Sequence, residues 1–482
     1  MTPSFERLVV AALAWGAVSF GAVYPWGYWP LAVVCAGLGA YAIVITRAWL
    51  EPRPRHLGIA LGAVAVAITI QLVALPSGLA QTVSPAFDRF FRQYALAYHP
   101  ASLHELSIAP SATLVALLLF VALALLLIGL ISAMRSLSLE WLVNQVMGLG
   151  VALAIVGVVQ RALIEPGNPM VYGFWQPELG GSPGLRASNP FGPFINRNHF
   201  AGWMVMALPL VVAYSYFVLQ ATGGPRRRRW SDRLRWVATV DASRFLLVAC
   251  SAILMSTAVV LSASRSGIAS LAVAMAVLFY FVLRDSGQSG ARWLVAAYLV
   301  VLVGGSVAWA GTDETIGRFL EARTDSSASG RVMAWRDTTR IISDFPLSGT
   351  GLGTYGQAML VYQSAGRPVM YAQAHNEYLQ LLAEGGALVV VPALVVLILV
   401  LLGLRRRLSA GTDDLFTKWI RVGAVAGLAG IAAQSLVEFS LQMPGNRVLF
   451  VLLLAIALHR ARSSGTGRHS RRLVPPSNAH RV

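Results

Sequence analysis

Long apolar runs separated by shorter polar segments dominate the chain, and they predict membrane-spanning helices. A spanning helix needs roughly 20 mostly apolar residues, because the hydrocarbon layer is about 30 Å thick and each helical residue rises about 1.5 Å. The pattern therefore predicts an all-α, polytopic transmembrane bundle of about 12 spans. The predicted spans are 8–23, 28–46, 57–76, 111–132, 141–160, 199–219, 245–262, 267–283, 293–311, 379–403, 419–437 and 447–459.

Arginine clusters occupy every second connection between these spans, and the positive-inside rule assigns such connections to the cytoplasm. An even number of spans then places both termini in the cytoplasm. Three long connections remain on the outer side, namely 77–110, 161–198 and 312–378. The last of them is a large loop between spans nine and ten, and these outer connections are the natural places for function. The basic clusters include Arg47, Arg135, Arg284 and the runs 226–229 and 405–407.

One amphipathic helix is predicted within the third outer connection. Val332, Trp335, Thr339 and Ile342 share one helical face, and Pro346 would end the helix. Two interpretations remain open for it. The helix either lies on the membrane surface, with Trp335 at headgroup depth, or belongs to a small outer domain.

The amino-acid composition indicates that lipid, rather than water, surrounds most of the protein. Hydrophobic residues make up 56% of the 482 positions and charged residues only 12%, which excludes an ordinary water-soluble domain. The formal net charge of +17 raises the possibility of a nucleic-acid binder. Most basic residues lie in short loops and in the tail, however, where membrane topology alone explains them. We therefore expect no nucleic-acid partner.

Three residues near predicted helix ends are candidates for chemistry. Arg265 lies in LSASRSGIAS between two apolar runs, where it either binds an anion or anchors the turn. Arg197 immediately precedes the sixth span beside Asn196 and Asn198, so an anion there would meet unpaired backbone amides and a guanidinium. The alternative for Arg197 is a solvated side chain at a capped helix.

His375, in AHNEYLQLLAEGG, begins the tenth span, and an imidazole is a suitable base near neutral pH. It is either such a base or an ordinary polar residue, and Glu384 deeper in the helix either orients it or packs. The topology assigns His375, Arg197 and Arg265 to one outer face. Two arginines and a histidine at that depth suit a lipid-linked diphosphate substrate. The arginines would stabilise the leaving diphosphate and the histidine would activate an incoming hydroxyl, which is the chemistry of glycosyl transfer.

Other patterns are less specific. The segment GTGLGTYG, residues 349–356, lies in an outer loop without a strand–helix unit, and we interpret it as a turn-rich connection. The sequence offers no His/Cys cluster and no Asp-x-Asp pair with metal-ligand spacing. We therefore expect neither a metal nor another cofactor.

Several motifs together resemble the O-antigen ligase and O-antigen polymerase superfamily of bacterial envelope glycosyltransferases. They are FGPFINRNHFAGWM, SASRSG, GRVMAWRDTTRIISDFPLSGTGLGTYG, AHNEYLQLLAEGG and QSLVEFSLQMPGNRVLF. The resemblance covers residues 145–460. It implies that these residues form an O-antigen ligase-like membrane domain. Residues 1–144 would then be N-terminal transmembrane helices, and 461–482 a basic cytoplasmic tail that is predicted to be disordered.

The resemblance implies a metal-independent, inverting transfer of a glycan from undecaprenyl diphosphate to an acceptor, at the periplasmic face of the bacterial inner membrane. By position in the motifs, His375 would be the base, and Arg265 would act with it by binding the diphosphate. Arg197 is the preferred second diphosphate-binding arginine, and Arg186 in the same loop is the alternative. The supporting residues would be Asn196, Asn198, Asn376, Glu384 and Arg331.

The acceptor stays open at this point. A ligase would transfer to the lipid A–core, whereas a polymerase would extend a growing O-antigen or exopolysaccharide chain. The family's ligase pattern continues with a Gly-x-x-Gly step, but here Gly386 is followed by Ala387, Leu388 and Val389. That departure leaves polymerase as the alternative to ligase. A flippase for lipid-linked sugars is a third, less favoured class.

Overall fold

The structure is a computed structural model that describes residues 1–94, 99, 103–163, 170–176, 189–221, 238–285, 326–364, 370–409, 411 and 413–460. Within these ranges the chain forms fifteen α-helices and one small antiparallel sheet, in which β1 (Ala74–Leu75) pairs with β2 (His104–Glu105). In chain order the helices are α1 (Pro3–Val18), α2 (Pro25–Thr46), α3 (Pro52–Gln71), α4 (Ser77–Val83), α5 (Pro85–Tyr94), α6 (Pro110–Ala133), α7 (Leu139–Leu163), α8 (Arg197–Ala221), α9 (Val240–Leu261), α10 (Arg265–Arg284), α11 (Ser326–Asp344), α12 (Tyr355–Tyr362), α13 (Glu377–Ser409), α14 (Leu415–Gln434) and α15 (Pro444–Leu458).

Helices coincide with all but one of the predicted spans, since only 293–311 lies outside the described residues. In the part of the chain that the structure describes, nine helices are long and apolar enough to cross a membrane. They are α2, α3, α6 to α10, α13 and α14, while α15 is a shorter apolar helix. The all-α, multi-pass class is confirmed. The number of twelve spans and the side on which the termini lie stay predictions.

Helix α8 occupies the centre of the bundle. In the most apolar stretch of α8, 89% of the residues are buried inside the protein. In the corresponding stretch of α13, at the periphery, 11% of the residues are buried. Its neighbours are α7, α9, α10, α14 and α15. The large side chains of Trp203 and Tyr214 are fully buried along it. The first residues of α8 are therefore held in position by five packed helices.

Segments of the connections 77–110 and 312–378, which the sequence predicts on the outer side, pack into one apolar cluster. Phe87 of α5 lies in the same buried group as Ile341 and Phe345 at the end of α11 and Tyr355 of α12. The backbone N–H of Ile108 also donates to the carbonyl of Thr350, with 2.8 Å between N and O. The two connections therefore form one folded unit at one end of the bundle.

Helix α11 is the predicted amphipathic helix, and it ends at Asp344, before Pro346. The predicted apolar face is wrong: Val332 is 60% exposed, whereas Thr338 is fully buried on the same stripe as Ile341. Thr338 tolerates burial because its hydroxyl donates to a backbone carbonyl one turn earlier and lies 2.8 Å from the Tyr355 hydroxyl. These contacts favour an outer-domain helix over one lying on the membrane surface.

Candidate active site

The starts of α8 and α10 meet through a short chain of hydrogen bonds. At the start of α8, the Asn196 side-chain oxygen accepts from the backbone N–H of Asn198 at 2.8 Å. At the start of α10, the Ser264 hydroxyl oxygen accepts from the backbone N–H of Gly267 at 3.2 Å, which caps the helix. The same hydroxyl donates to Oδ1 of Asn198 at 2.7 Å, and so connects the two helix ends.

Helix α13 begins at the same place, directly after His375. Asn376 is the N-cap, because its Oδ1 accepts from the backbone N–H groups of Tyr378 and Leu379 at 3.1 and 3.0 Å. The amides satisfied in this way are two of those that a helix start otherwise leaves unpaired. The Asn in the His-Asn motif is thus explained by helix capping, which positions the preceding histidine.

His375 itself has a backbone φ of +51°, in the left-handed region that non-glycine residues seldom occupy. Contacts on both sides hold the backbone in this conformation. The indole N–H of Trp335 donates to the carbonyl of Ala374 at 2.9 Å, and the backbone N–H of Glu377 donates to the carbonyl of Ser435 at 2.9 Å. Such a conformation costs about 1–3 kcal/mol, and residues held in it cluster at functional sites.

Glu438, in the turn between α14 and α15, is the centre of the cluster. Its Oε1 accepts from Nδ2 of Asn198 at 2.8 Å and from Nη2 of Arg331 at 2.5 Å. Its Oε2 lies 3.4 Å from Nδ1 of His375. The Glu438 side chain has no exposed surface, whereas the side chains of Arg331 and His375 are 30% and 25% exposed. A buried carboxylate therefore joins four elements and leaves the histidine accessible.

Hydrogen bonds and charge decide the ionisation of Glu438. Burial opposes its ionisation, but the His375 hydrogen bond and the charge of Arg331 outweigh burial and lower the pKa of Glu438 below its ordinary value. An ionised carboxylate only accepts hydrogen bonds, so the facing Nδ1 of His375 carries the proton. In the neutral ring, Nε2 is then left as the basic nitrogen.

An aromatic ring separates His375 from a second histidine. Phe439 contacts His375 and His199 edge-on, with ring centroids 4.8 and 4.7 Å apart. His199, in the first turn of α8, is 3% exposed, and neither of its ring nitrogens has a hydrogen-bond partner among the described residues. Phe439 thus fixes one side of the His375 ring by packing.

The two candidate arginines are the first residues of α8 and α10. Arg197 is half-buried and precedes Asn198, and Arg265 is exposed and follows Ser264. Because Asn198 and Ser264 share a hydrogen bond, the two helix starts that carry the arginines lie next to each other. Helix starts attract anions through the helix dipole. The expected unpaired amides are not present at the start of α8, because the backbone N–H groups of residues 197–200 already donate to Asn189 and Asn196. The alternative arginine, Arg186, lies outside the described residues.

Glu384 lies outside this cluster, so of its two alternatives the contacts favour packing over orientation of His375. Its carboxylate accepts from the backbone N–H groups of Gly353 and Tyr355 at 2.9 and 3.0 Å, and from the side chain of Gln380 at 3.1 Å. It therefore secures the glycine-containing loop rather than orienting His375. In that loop Gly349, Gly351 and Gly353 all have positive φ, which confirms the turn-rich connection.

Sequence reasoning missed Glu438. The signal available for it was a lone acidic residue in QSLVEFSLQMPGNRVLF, between two apolar helices, where an unpaired charge would be unfavourable.

The described residues contain no group of three or more His, Cys, Asp or Glu side chains that could hold a metal ion. Independence from metal stays a prediction.

The helices and this cluster define a multi-pass membrane protein with a polar site at one end of its bundle. The sequence model of a family described as O-Antigen ligase matches residues 250–393. This match confirms the resemblance to the O-antigen ligase and polymerase superfamily, and it supports a membrane enzyme of that type. The matched segment includes Ser264, Arg265, Arg331 and His375, whereas Glu438 lies outside it. No curated protein matches the chain.

Proposed function

We propose that this protein is a metal-independent, inverting glycosyltransferase that moves a glycan from undecaprenyl diphosphate to an acceptor hydroxyl. The observation that carries the proposal is the contact of His375 with the buried, ionised Glu438. This contact places the Nδ1 proton towards the carboxylate and leaves Nε2 of a partly exposed ring as a base. The family match supplies the class of reaction.

In the proposed reaction, the acceptor hydroxyl attacks the anomeric carbon of the lipid-linked glycan while its proton passes to Nε2 of His375. The bond between that carbon and the diphosphate oxygen breaks, and the undecaprenyl diphosphate leaves with the bonding electrons. A single displacement of this kind inverts the anomeric carbon. Glu438 stabilises the imidazolium that forms, because its negative charge faces Nδ1.

The leaving diphosphate needs positive charge, and the two adjoining helix starts are the proposed place for it. Arg265 at the start of α10 and Arg197 at the start of α8 would bind the diphosphate through their guanidinium groups, aided by the positive ends of the two helix dipoles. Arg186 remains the alternative to Arg197. Arg331 has a different role in this proposal, because it forms an ion pair with Glu438.

We place the site at the periplasmic face of the inner membrane, with both termini in the cytoplasm. Cysteine labelling in a C35A/C250A background tests this orientation. Ala372, exposed just before His375, and Ser409, exposed at the far end of α13, are suitable positions for single cysteines. A membrane-impermeant maleimide should label A372C in intact spheroplasts and S409C only after permeabilisation. The reverse pattern would place the site in the cytoplasm and contradict the proposal.

A lipid A–core acceptor, and therefore a ligase, is our leading assignment. Polymerisation of O-antigen or exopolysaccharide repeat units is the second candidate, favoured by Ala387 to Val389 where a ligase pattern has its second glycine. Gene deletion separates the two. Loss of a ligase should leave bare cores and accumulated lipid-linked chains, whereas loss of a polymerase should leave cores that carry single repeat units.

The direct test is glycan transfer by the purified, full-length protein with an undecaprenyl-diphosphate-linked donor and defined acceptors. We expect a glycosylated acceptor and free undecaprenyl diphosphate, with inverted configuration at the new linkage, in the presence of a chelator. Movement of the donor across vesicles without any transfer would favour a flippase and contradict the proposal. Loss of transfer in the chelator would contradict the metal-independent mechanism alone.

A further inference from the structure

A cavity lies at the opposite end of the bundle from His375. It encloses about 590 Å³ between the start of α3, the end of α6, the second half of α13 and the residues that follow α15. Its lining includes Ile131 of α6, which lies about six helical turns, or roughly 30 Å, beyond the start of that helix at Pro110. This separation is close to the thickness of a hydrocarbon layer. Ile108, just before that start, donates its backbone N–H to Thr350 in the connection that leads to His375. The cavity therefore lies at the depth of the other headgroup layer.

Four arginines line this cavity, against a single carboxylate, that of Glu51. They are Arg135 after α6, Arg406 and Arg407 in the last turn of α13, and Arg460 after α15. Arg135 pairs with Glu51 at 3.3 Å, and both side chains are more than 40% exposed, so solvent screens this pair. The rim therefore carries an excess of about three positive charges.

The rest of the lining is mainly apolar. Leu57, Ile131, Leu402 and Leu458 form apolar walls, and Ile131, Leu402 and Leu458 lie further into their helices than the arginines that follow them in the chain. One arginine is fixed against such a wall, because Nε of Arg407 donates to the carbonyl of Leu458 at 3.2 Å. A cationic rim above apolar walls matches a molecule with an anionic head and a hydrocarbon tail. A volume of this size is within the range of about 300–1,000 Å³ that is usual for small-molecule sites.

From this arrangement we infer that the cavity lined by Arg135, Arg406, Arg407 and Arg460 binds an anionic phospholipid from the leaflet opposite the candidate active site. The lipid phosphate contacts the arginines, and an acyl chain lies along the leucine and isoleucine walls. The site is separate from the proposed diphosphate site and does not depend on glycan transfer. The bound lipid would join the ends of α3, α6 and α13.

Lipid binding by the purified, full-length protein in detergent tests the inference. The protein is titrated with palmitoyl-oleoyl phosphatidylglycerol or with the phosphatidylcholine of the same chains, and native mass spectrometry counts the bound lipids. We expect one tight phosphatidylglycerol site and no comparable phosphatidylcholine site. The triple variant R135Q/R406Q/R460Q should weaken phosphatidylglycerol binding by at least about tenfold, because each lost arginine weakens attraction to an anionic lipid.

A matched control removes the same charge elsewhere. Arg7, Arg47 and Arg284 are exposed and lie outside the cavity lining, so R7Q/R47Q/R284Q should keep the wild-type affinity within about twofold. Because a charge variant can fail to fold, L402W tests the apolar wall with every charge retained. Leu402 lines the cavity, so the larger ring should occupy part of its volume and also weaken phosphatidylglycerol binding.

Three results would overturn the inference. Unchanged phosphatidylglycerol affinity in both R135Q/R406Q/R460Q and L402W would show that the cavity is not the site. An equal loss in R7Q/R47Q/R284Q would indicate general attraction to a basic surface. Displacement of the lipid by millimolar inorganic phosphate, with equal thermal stabilisation by phosphate alone, would make the occupant a free anion rather than a lipid.

Discussion

Nδ1 of His375 lies 3.4 Å from Oε2 of Glu438, and the carboxylate that forms this contact is completely buried while the imidazole is not. The distance is long for a hydrogen bond, as contacts of catalytic groups often are before substrate binds. Glu438 has no access to solvent, so its role is to act through the side chains that touch it. It is a positioning residue for His375.

Glu438→Gln should lower turnover by about two to four orders of magnitude while the KM for the lipid-linked donor changes little. The amide is uncharged and can present an N–H group to Nδ1, which would favour the wrong tautomer of His375. Steady-state kinetics of the purified variant with defined donor and acceptor measure the effect. A merely structural role would lower the amount of folded protein instead of kcat.

Glu140→Gln is the matched control for that substitution. Glu140, in the first turn of α7, is also paired with an arginine, but half of its side chain is exposed and it lies outside the cluster. Its replacement should leave turnover unchanged. Equal activity of the Glu438 and Glu140 variants would remove Glu438 from the mechanism.

Acid should destabilise the wild-type protein more than the Glu438→Gln variant. The native pKa of Glu438 lies below its ordinary value of 4.5, so the folded state binds fewer protons than the unfolded state. Its ionisation therefore stabilises the fold above pH 4.5, and this contribution is lost as the pH falls through the lower native pKa. Thermal unfolding in detergent should show the wild-type advantage shrinking below pH 4.5. An advantage that grows on acidification would mean that the shift has the opposite sign.

Gly386→Ala should lower the free energy of unfolding by at least about 2 kcal/mol. Gly386 interrupts α13 with φ +53° and ψ −168°, a conformation close to glycine-only. A Cβ there would lie 2.4 Å from the backbone nitrogen of Gly349 and 2.5 Å from the carbonyl oxygen of Leu347. Unfolding monitored in detergent measures the loss.

Gly37→Ala in α2 is the comparison, because a Cβ at that position meets nothing within 4 Å. This variant should be within about 1 kcal/mol of the wild type. If both glycine variants were equally stable, the helix break at Gly386 would not need glycine.

The spans and several members of the cluster could be predicted because the information is local. Apolar runs of the right length indicate spans, and an Asn or Ser before a run indicates a helix start, as at Asn196, Ser264 and Asn376. The role of Glu438 could not be predicted in this way. Its partners Arg331, His375 and Asn198 are 107, 63 and 240 positions away in the sequence, so only the packed bundle brings their charges and donors together.

Thr338 illustrates a second limit. Thr338 and Thr339 are identical side chains at adjacent positions, so the sequence alone does not decide which of them is buried, and the predicted face of α11 is off by one position. The hydroxyl of Tyr355, from the next helix, makes Thr338 burial acceptable. Glu384 is a similar case, because the backbone amides that it binds belong to a loop whose conformation depends on tertiary contacts.

The most direct test of His375 as the base is chemical rescue of His375→Ala. Turnover should fall by about two to four orders of magnitude, because proton transfer to a positioned base is lost. Added imidazole should restore part of the lost turnover in a saturable manner, with the restored rate rising with the concentration of neutral imidazole. Wild-type turnover in the variant without imidazole would contradict the assignment, as would a folded, donor-binding variant that imidazole does not rescue at any pH.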